Sequence, residues 1–306
     1  MTATGIAAAI LVAIAGVGLV AAVLFGPLGR RRNAALDPGV VRARAVSYAV
    51  LAGALAAAIV LGLPAVVLLL GGIAAVALLE WCRLGSLPPR HVVALQIGNV
   101  AIMVATAIYG SGSADVLVGG LVLAGVLLPV ARPDTTRAIR DFGVASVGLI
   151  ITSVMLAHGV ALATERGEPG IILVAAVALG CAGSDVGAFI VGKRFGSTPL
   201  APSLSPSKTR EGLVGNVIGA ANGLGLLAPA FWALGGLLLF AGLLVIVAVG
   251  SVWGDLLESA AKREFGAKDA GAWLPGFGGI LDRIDSLLLA LPVTYWILRI
   301  DELVRG

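Results

Sequence analysis

The chain has 306 residues, of which 59% are hydrophobic and only 12% are charged, and its mean hydropathy is +1.04. This composition exceeds what the core of a soluble domain needs, so it excludes an ordinary soluble enzyme and indicates an integral membrane protein. The formal net charge of +4 is small, and the positions of the charges are more informative than their sum.

About ten apolar segments predict membrane-spanning helices, because a helix satisfies every backbone hydrogen bond inside lipid. The first has no basic residues before it and no convincing cleavage site after it, so we interpret it as a retained helix rather than a signal peptide. Small residues in the second and eighth segments favour close helix packing. The segments cover residues 5–25, 45–61, 63–82, 91–109, 114–131, 141–163, 170–192, 212–231, 235–253 and 284–299.

The basic residues predict the orientation of these segments. Of the 21 Lys and Arg residues, 18 lie in alternate connections, and basic connections face the cytoplasm. We therefore expect a multi-pass protein of the cell (inner) membrane with both termini outside. The predicted fold class is all-α, with about ten transmembrane helices and a polar site facing the cytoplasm. We expect one membrane domain, 1–306, made of N-terminal transmembrane helices (1–170) and catalytic helices and loops (171–306).

The seventh segment and the loop after it contain the first candidate site residues. Asp185 lies inside an apolar helix, where an acid costs about 2.5–3.5 kcal/mol, so it should face a partner or a wet cavity. A structural hydrogen bond to a neighbouring helix is the alternative. Downstream, residues 205–212 place hydroxyls and two cations just before a helix, an arrangement that can cradle phosphate. The alternative for this loop is a solvated basic boundary.

The stretch 251–286 is the most charged part of the chain. Asp282 and Asp285 are three residues apart, so on a helix both carboxylates share one face and repel unless a cation or proton lies between them. Asp255 can complete a site from a second helix. Mg²⁺ favours such sparse carboxylate ligation, with waters and phosphates as its other ligands. A web of surface salt bridges among lipid headgroups is the alternative.

These residues resemble a known family. The run Ser259-Ala-Ala-Lys262-Arg263-x4-Lys268-Asp269-x5-Pro275-Gly276-x-Gly278-Gly279-x2-Asp282-Arg283-x-Asp285 closely resembles the defining motif of the phosphatidate cytidylyltransferases, also called CDP-diacylglycerol synthases. The segments Asp185-x-Gly187-Ala188, Ser205-Pro-x-Lys208-Thr-x-Glu211-Gly212 and Gly254-Asp255-x2-Glu258-Ser259 resemble its other marks, in the family's order. The resemblance covers residues 183–286. It has one departure, Phe277, where the family usually has His, and Phe cannot transfer a proton or bind a metal.

The resemblance implies a reaction, a set of site residues and a set of partners. The reaction transfers a cytidylyl group from CTP to phosphatidic acid, giving CDP-diacylglycerol and pyrophosphate in phospholipid biosynthesis. The cofactor would be Mg²⁺, alone or with a second cation such as K⁺. The partners would be CTP, phosphatidic acid and membrane lipids, with a homodimer suggested and no nucleic acid expected. The implied residues are Asp255, Lys262, Asp282 and Asp285 for catalysis, Asp255, Asp282 and Asp285 for metal, and Asp185, Ser205, Lys208, Thr209, Glu211, Arg263, Lys268, Asp269 and Arg283 for substrate.

Two alternatives remain open. A CTP-dependent lipid kinase, or a cytidylyltransferase for another lipid phosphate, would use the same ions and nucleotide, and Phe277 leaves room for a different acceptor. An ion-coupled transporter would use Asp185 to carry a proton or cation. Transporters tend to show duplicated segments and helices broken at the membrane midplane. The sequence shows no such duplication and concentrates its charge at one membrane face, which disfavours the transporter.

Overall fold

The chain is almost entirely helical over the residues that the computed structural model describes, which are 2–14, 38–113, 116–117, 119–120, 137–267, 271 and 279–305. A π-helical turn at Ile150–Val154 lies within the helix Ala138–Arg166. The helices are α1 (Ala3–Ile14), α2 (Pro38–Leu61), α3 (Leu63–Leu84), α4 (Pro89–Tyr109), α5 (Ala138–Arg166), α6 (Glu168–Phe195), α7 (Arg210–Glu264) and α8 (Leu281–Arg305).

Five of these helices, α3 to α7, are long and apolar enough to cross a membrane. The prediction of a helical membrane protein is therefore confirmed. The number of ten spans stays a prediction, because the first and fifth predicted segments, 5–25 and 114–131, extend outside the described residues.

Helix α7 reverses direction at Gly236, whose φ of 54° and ψ of −138° interrupt the helical backbone. Residues with a Cβ rarely adopt such a positive φ. Phe231 and Phe240 stack across the bend with ring centroids 6.5 Å apart, and further along the amide of Asn216 donates a hydrogen bond to Ser251 Oγ. The first arm (210–235) and the second arm (237–264) are therefore antiparallel. They correspond to the predicted eighth and ninth segments.

Helix α6 packs closely against the first arm of α7. A Cβ on Gly187 would overlap the carbonyl of Gly215, and Gly183 and Gly219 have the same relation one turn away. Small residues allow two helix backbones to approach without side chains between them. The predicted close packing around residues 215–225 agrees with this contact.

The described loops between helices lie at the two ends of the helical bundle. At one end Glu80, near the end of α3, accepts a hydrogen bond from Leu281 at the start of α8, and Lys208, just before α7, pairs with Asp255 of the second arm. At the other end Tyr295 of α8 donates a hydrogen bond to Glu165 of α5. The described parts of the basic connections thus meet at the first end, which is called the basic end below.

The loop between α6 and α7 contains two short strands, β1 (Pro199–Ala201) and β2 (Ser205–Thr209). They form an antiparallel hairpin in which Pro199 lies opposite Thr209. The prediction of an all-α fold did not include these strands. The hairpin leads directly into α7, and it positions Lys208 at the basic end.

Candidate active site

Three carboxylates from three different helices meet at the basic end. They belong to Asp185 of α6, Asp255 of the second arm of α7 and Asp285 of α8. Asp255 lies beside the other two carboxylates, and Ser286 Oγ donates to Asp185 Oδ1 at 3.5 Å. Side chains from α6, α7 and α8 therefore form one acidic cluster.

Asp285 is the most enclosed member of this cluster, with 2% of its surface exposed. Its Oδ1 accepts the backbone N–H of Ser286 at 2.6 Å. Its Oδ2 is buried and has no hydrogen-bond partner among the residues that the structure describes. Since a buried carboxylate oxygen without a donor is unfavourable, a cation or a proton between Asp285 and the adjacent Asp255 would stabilise it.

The meeting of Asp255 and Asp285 depends on a close contact between the second arm and α8. Gly254 faces the backbone of α8, and a Cβ at this position would overlap the carbonyl of Asp285. Gly250 repeats the contact one turn earlier, against Ala290. The absence of side chains at these two positions lets the helices approach, and Asp255 is thereby brought next to Asp285.

Two cations accompany the acidic cluster. Lys208 reaches from β2 and forms an ion pair with Asp255. Arg283, on the first turn of α8, lies within electrostatic range of Asp185. Acids and bases together can align a metal ion and phosphate groups, because each sign neutralises the charge of one component.

A second charged cluster lies one to two turns away along the same two helices. Lys262 Nζ donates to Glu258 Oε2 at 2.8 Å and to Asp282 Oδ1 at 2.7 Å. Asp282 Oδ2 accepts the backbone N–H of Gly279 at 2.8 Å. Asp282 and Asp285 therefore both face the second arm, as their spacing predicts, but they belong to different clusters.

This separation affects the predicted metal ligands. Of the three, Asp255 and Asp285 lie together, whereas Asp282 is held by Lys262. Within the described ranges, no group of three or more His, Cys, Asp or Glu side chains is arranged to hold a metal ion. A site built on two carboxylates remains compatible with Mg²⁺, which usually keeps several waters or phosphate oxygens.

The predicted substrate-binding residues of the hairpin make mainly structural contacts. Glu211 accepts hydrogen bonds from the backbone N–H groups of Ser197 and Thr198 and, at 2.6 Å, from Ser197 Oγ. Thr209 caps α7, since its Oγ1 accepts the N–H of Gly212 at 3.2 Å. These contacts fix both ends of the hairpin and leave Lys208 between them.

Of the last four predicted site residues, two lie within the described part of the chain and two lie outside it. Ser205 begins β2, and Arg263 is exposed on the second arm. Lys268, Asp269 and the divergent Phe277 lie outside the described residues.

The prediction omitted two buried polar residues beside the site. Glu80 is fully buried in α3 and accepts hydrogen bonds from the first turn of α8. Asn216 donates to Ser184, which precedes Asp185, and to Ser251, which lies one turn before Asp255. The available signal was a polar residue within an apolar segment, the same signal that identified Asp185.

Comparisons with known proteins found a family and several relatives of this chain. The sequence pattern of the cytidylyltransferase family matches residues 42–301. A protein of Escherichia coli, the uncharacterized protein YnbB, is 37% identical over 50% of this chain and 52% of its own length. A phosphatidate cytidylyltransferase of Helicobacter pylori is 49% identical over 34% of this chain and 39% of its own, and one of Bacillus subtilis is 44% identical over 38% and 43%.

The match extends over most of the chain, so this protein belongs to the cytidylyltransferase family. The prediction of the family, and with it of the enzyme class, is confirmed. The chain spans about half the length, or less, of these curated relatives.

Proposed function

We propose that this protein transfers a cytidylyl group from CTP to phosphatidic acid, giving CDP-diacylglycerol and pyrophosphate. The observation that carries the proposal is the cluster of Asp185, Asp255, Asp285 and Lys208 at the basic end of an apolar helical bundle. Relatives that match 34% and 38% of this chain are named phosphatidate cytidylyltransferase, which supports the same reaction.

The reaction exchanges one bond to phosphorus for another. An oxygen of the lipid phosphate forms a bond to the α-phosphorus of CTP. The bond from that phosphorus to the oxygen that bridges it to the β-phosphorus breaks, and pyrophosphate leaves with the bridging oxygen. Both reactants are anions, so the protein must align them and offset negative charge as the leaving group separates.

Lys208 and Arg283 are the cations best placed for this task. Lys208 lies against Asp255 at the end of a hairpin whose two ends are fixed, so its ammonium group is held over the carboxylates. Arg283 projects from the same turn of α8 as Asp282. We assign both to the phosphates of the substrates. Lys262 is assigned to holding the second arm and α8 together, because it bridges Glu258 and Asp282.

The residues at the site fit a Mg²⁺ ion. The unpartnered buried oxygen of Asp285 and the adjacent carboxylate of Asp255 offer the sparse oxygen ligation that Mg²⁺ prefers. We propose that these two residues hold the ion, with Asp185 beside them. When bound, the ion would polarise phosphoryl oxygens and reduce repulsion between the substrates. A second cation such as K⁺ remains an expectation without an assigned ligand.

The proposal also includes a location. Because 18 of the 21 basic residues lie in alternate connections, we propose that the basic end faces the cytoplasm, where CTP is available. The apolar helices would keep the acyl chains of phosphatidic acid in the bilayer of the cell (inner) membrane during the reaction.

A panel of acceptors tests the reaction. The purified chain in detergent would be incubated with Mg²⁺ and CTP labelled at the α-phosphorus, and with phosphatidic acid, another lipid phosphate or diacylglycerol. We expect labelled CDP-diacylglycerol from phosphatidic acid. If only another lipid phosphate were labelled, that lipid and not phosphatidic acid would be the acceptor. This is the alternative that Phe277 leaves open.

A further inference from the structure

Helix α3 contributes one carboxylate to the first turn of α8, from outside the acidic cluster. Glu80 is fully buried. Its Oε1 accepts the N–H of Ile280 at 3.0 Å, and its Oε2 accepts the N–H of Leu281 at 2.8 Å. The first N–H groups of a helix have no partner within the helix, so Glu80 caps α8 from a distant part of the sequence.

Two glycines before α8, Gly271 and Gly279, lie against this carboxylate. A Cβ on Gly279 would lie 2.6 Å from Glu80 Oε2, and a Cβ on Gly271 would also overlap the carboxylate. Only glycine therefore lets the backbone come so close. The N–H of Gly279 is taken by Asp282, so carboxylates satisfy three consecutive N–H groups at this turn.

The end of α3 that carries Glu80 is itself fixed. Trp81 Nε1 donates to the carbonyl of Val144 at 2.8 Å, and its ring packs edge-on against Phe265 at a centroid distance of 5.5 Å. Trp81 thus ties this end of α3 to α5 and to the residue after α7, while the adjacent Glu80 holds α8. Asp285 follows Leu281 by one helical turn, so the orientation of the first turn sets the direction of its carboxylate.

We infer that Glu80 is a positioning residue, which fixes the first turn of α8 so that Asp285 meets Asp255. This inference rests on the proposed function for its effect on catalysis, but not for its effect on structure or metal binding. An acid within an apolar helix is unfavourable unless it has partners. The partners of Glu80 explain its position in α3, although it does not touch the acidic cluster.

The test is Glu80→Gln, which keeps the size of the side chain. Gln has one acceptor oxygen and one amide group, so one of the two N–H groups of α8 would face another donor.

Two controls separate positioning from general destabilisation. Glu165→Gln alters a carboxylate that accepts the Ser111 N–H and the Tyr295 hydroxyl at the other end of the bundle, although Glu165 is exposed. Leu78→Ala removes a fully buried side chain two positions from Glu80 on the same helix.

Hydrogen exchange of the purified full chain in detergent gives the structural readout. We expect faster exchange of the amides at 280 and 281 in Glu80→Gln than in the wild type, and no such local change in either control. Unchanged exchange would overturn the inference, whether or not the protein is active.

Binding of Mn²⁺ alone, followed by its electron paramagnetic resonance signal, gives the second readout. We expect Glu80→Gln to weaken Mn²⁺ binding about 10- to 100-fold, as for outer residues that orient metal ligands. In the activity assay the Mg²⁺ concentration for half-maximal rate should rise by a similar factor, with a smaller change in kcat at saturating Mg²⁺. Faster exchange with unchanged Mn²⁺ binding would contradict a positioning role. Glu80 would then only cap the first turn of α8. If the wild type were inactive but bound Mn²⁺, and Glu80→Gln weakened that binding, the proposed reaction would be refuted and the inference about Glu80 would stand.

Discussion

At the scale of single residues, the two aspartates of α8 have different environments. Asp282 is neutralised by Lys262, whereas Asp285 keeps a buried oxygen without a partner in the described structure. The spacing of the two residues predicts a shared helix face but not this difference. It arises because Lys262 and Asp255 lie almost two turns apart on the second arm, so each aspartate meets a different neighbour.

The first prediction follows from this difference. Asp285→Asn replaces a charged oxygen by a neutral amide of nearly the same size, and we expect turnover to fall by about 100-fold or more, because each factor of ten corresponds to about 1.36 kcal/mol. Asp282→Asn should chiefly weaken the contact with Lys262 and lower thermal stability. Both variants would be assayed over a series of Mg²⁺ concentrations. Near-normal turnover of Asp285→Asn at ordinary Mg²⁺ would remove Asp285 from the site.

The second prediction concerns Lys208. Lys208→Met keeps much of the length of the side chain but removes the charge that lies against Asp255, and we expect kcat/KM for CTP to fall about 100-fold, as for loss of one group that stabilises developing charge. Lys193→Met is the control, because Lys193 lies over the ring of Phe189 on the exposed surface of α6. An equal loss in both variants would show that overall positive charge, rather than the position of Lys208, determines the effect.

At the scale of elements, the apolar pattern predicts where helices lie but not how far they extend. The predicted segment 170–192 corresponds to Glu168–Phe195, and 284–299 corresponds to Leu281–Arg305. Hydropathy marks the part of a helix that lies in lipid, whereas polar end turns continue the same hydrogen-bond pattern beyond it. The hairpin of β1 and β2 gives no such periodic signal.

The third prediction tests the contact between the second arm and α8. Gly254→Ala places a Cβ against the carbonyl of Asp285, so the helices must separate, and we expect about 1–3 kcal/mol of destabilisation together with a loss of activity. Gly242→Ala is the matched control, because a Cβ at this position of the same arm would have nothing within 4 Å. Thermal unfolding in detergent and the transfer assay would be measured for both.

If Gly254→Ala retained wild-type stability and activity, the close approach of the two helices would not be needed. If Gly242→Ala lost as much activity, replacement of any glycine in this arm would have the same effect, and the contact at Gly254 would not explain it.

At the scale of the whole molecule, residues from both halves of the sequence build the basic end. The resemblance predicts residues 183–286, and these contain the acidic cluster. It does not predict Glu80, because that contact joins residues about 200 positions apart, and it comes from folding rather than from a local pattern. The division at residue 170 and the suggested homodimer remain predictions.

The fourth prediction concerns orientation. A membrane-impermeant thiol reagent should label a cysteine at Ala267 from the cytoplasmic side and one at Glu168 from the opposite side, because these residues lie at opposite ends of the bundle. The native Cys82 and Cys181 are buried, so they should give little background in the wild type. Labelling of both introduced cysteines from one side would contradict the proposed topology.

The central claim is that the acidic cluster transfers the cytidylyl group of CTP to phosphatidic acid. The most direct test supplies the purified chain with phosphatidic acid, Mg²⁺ and CTP labelled at either the α- or the γ-phosphorus. We predict that only the α-label enters the lipid, and that the γ-label leaves in pyrophosphate. Entry of the γ-label into lipid would indicate phosphoryl transfer by a kinase, and no transfer of either label would contradict the proposed activity.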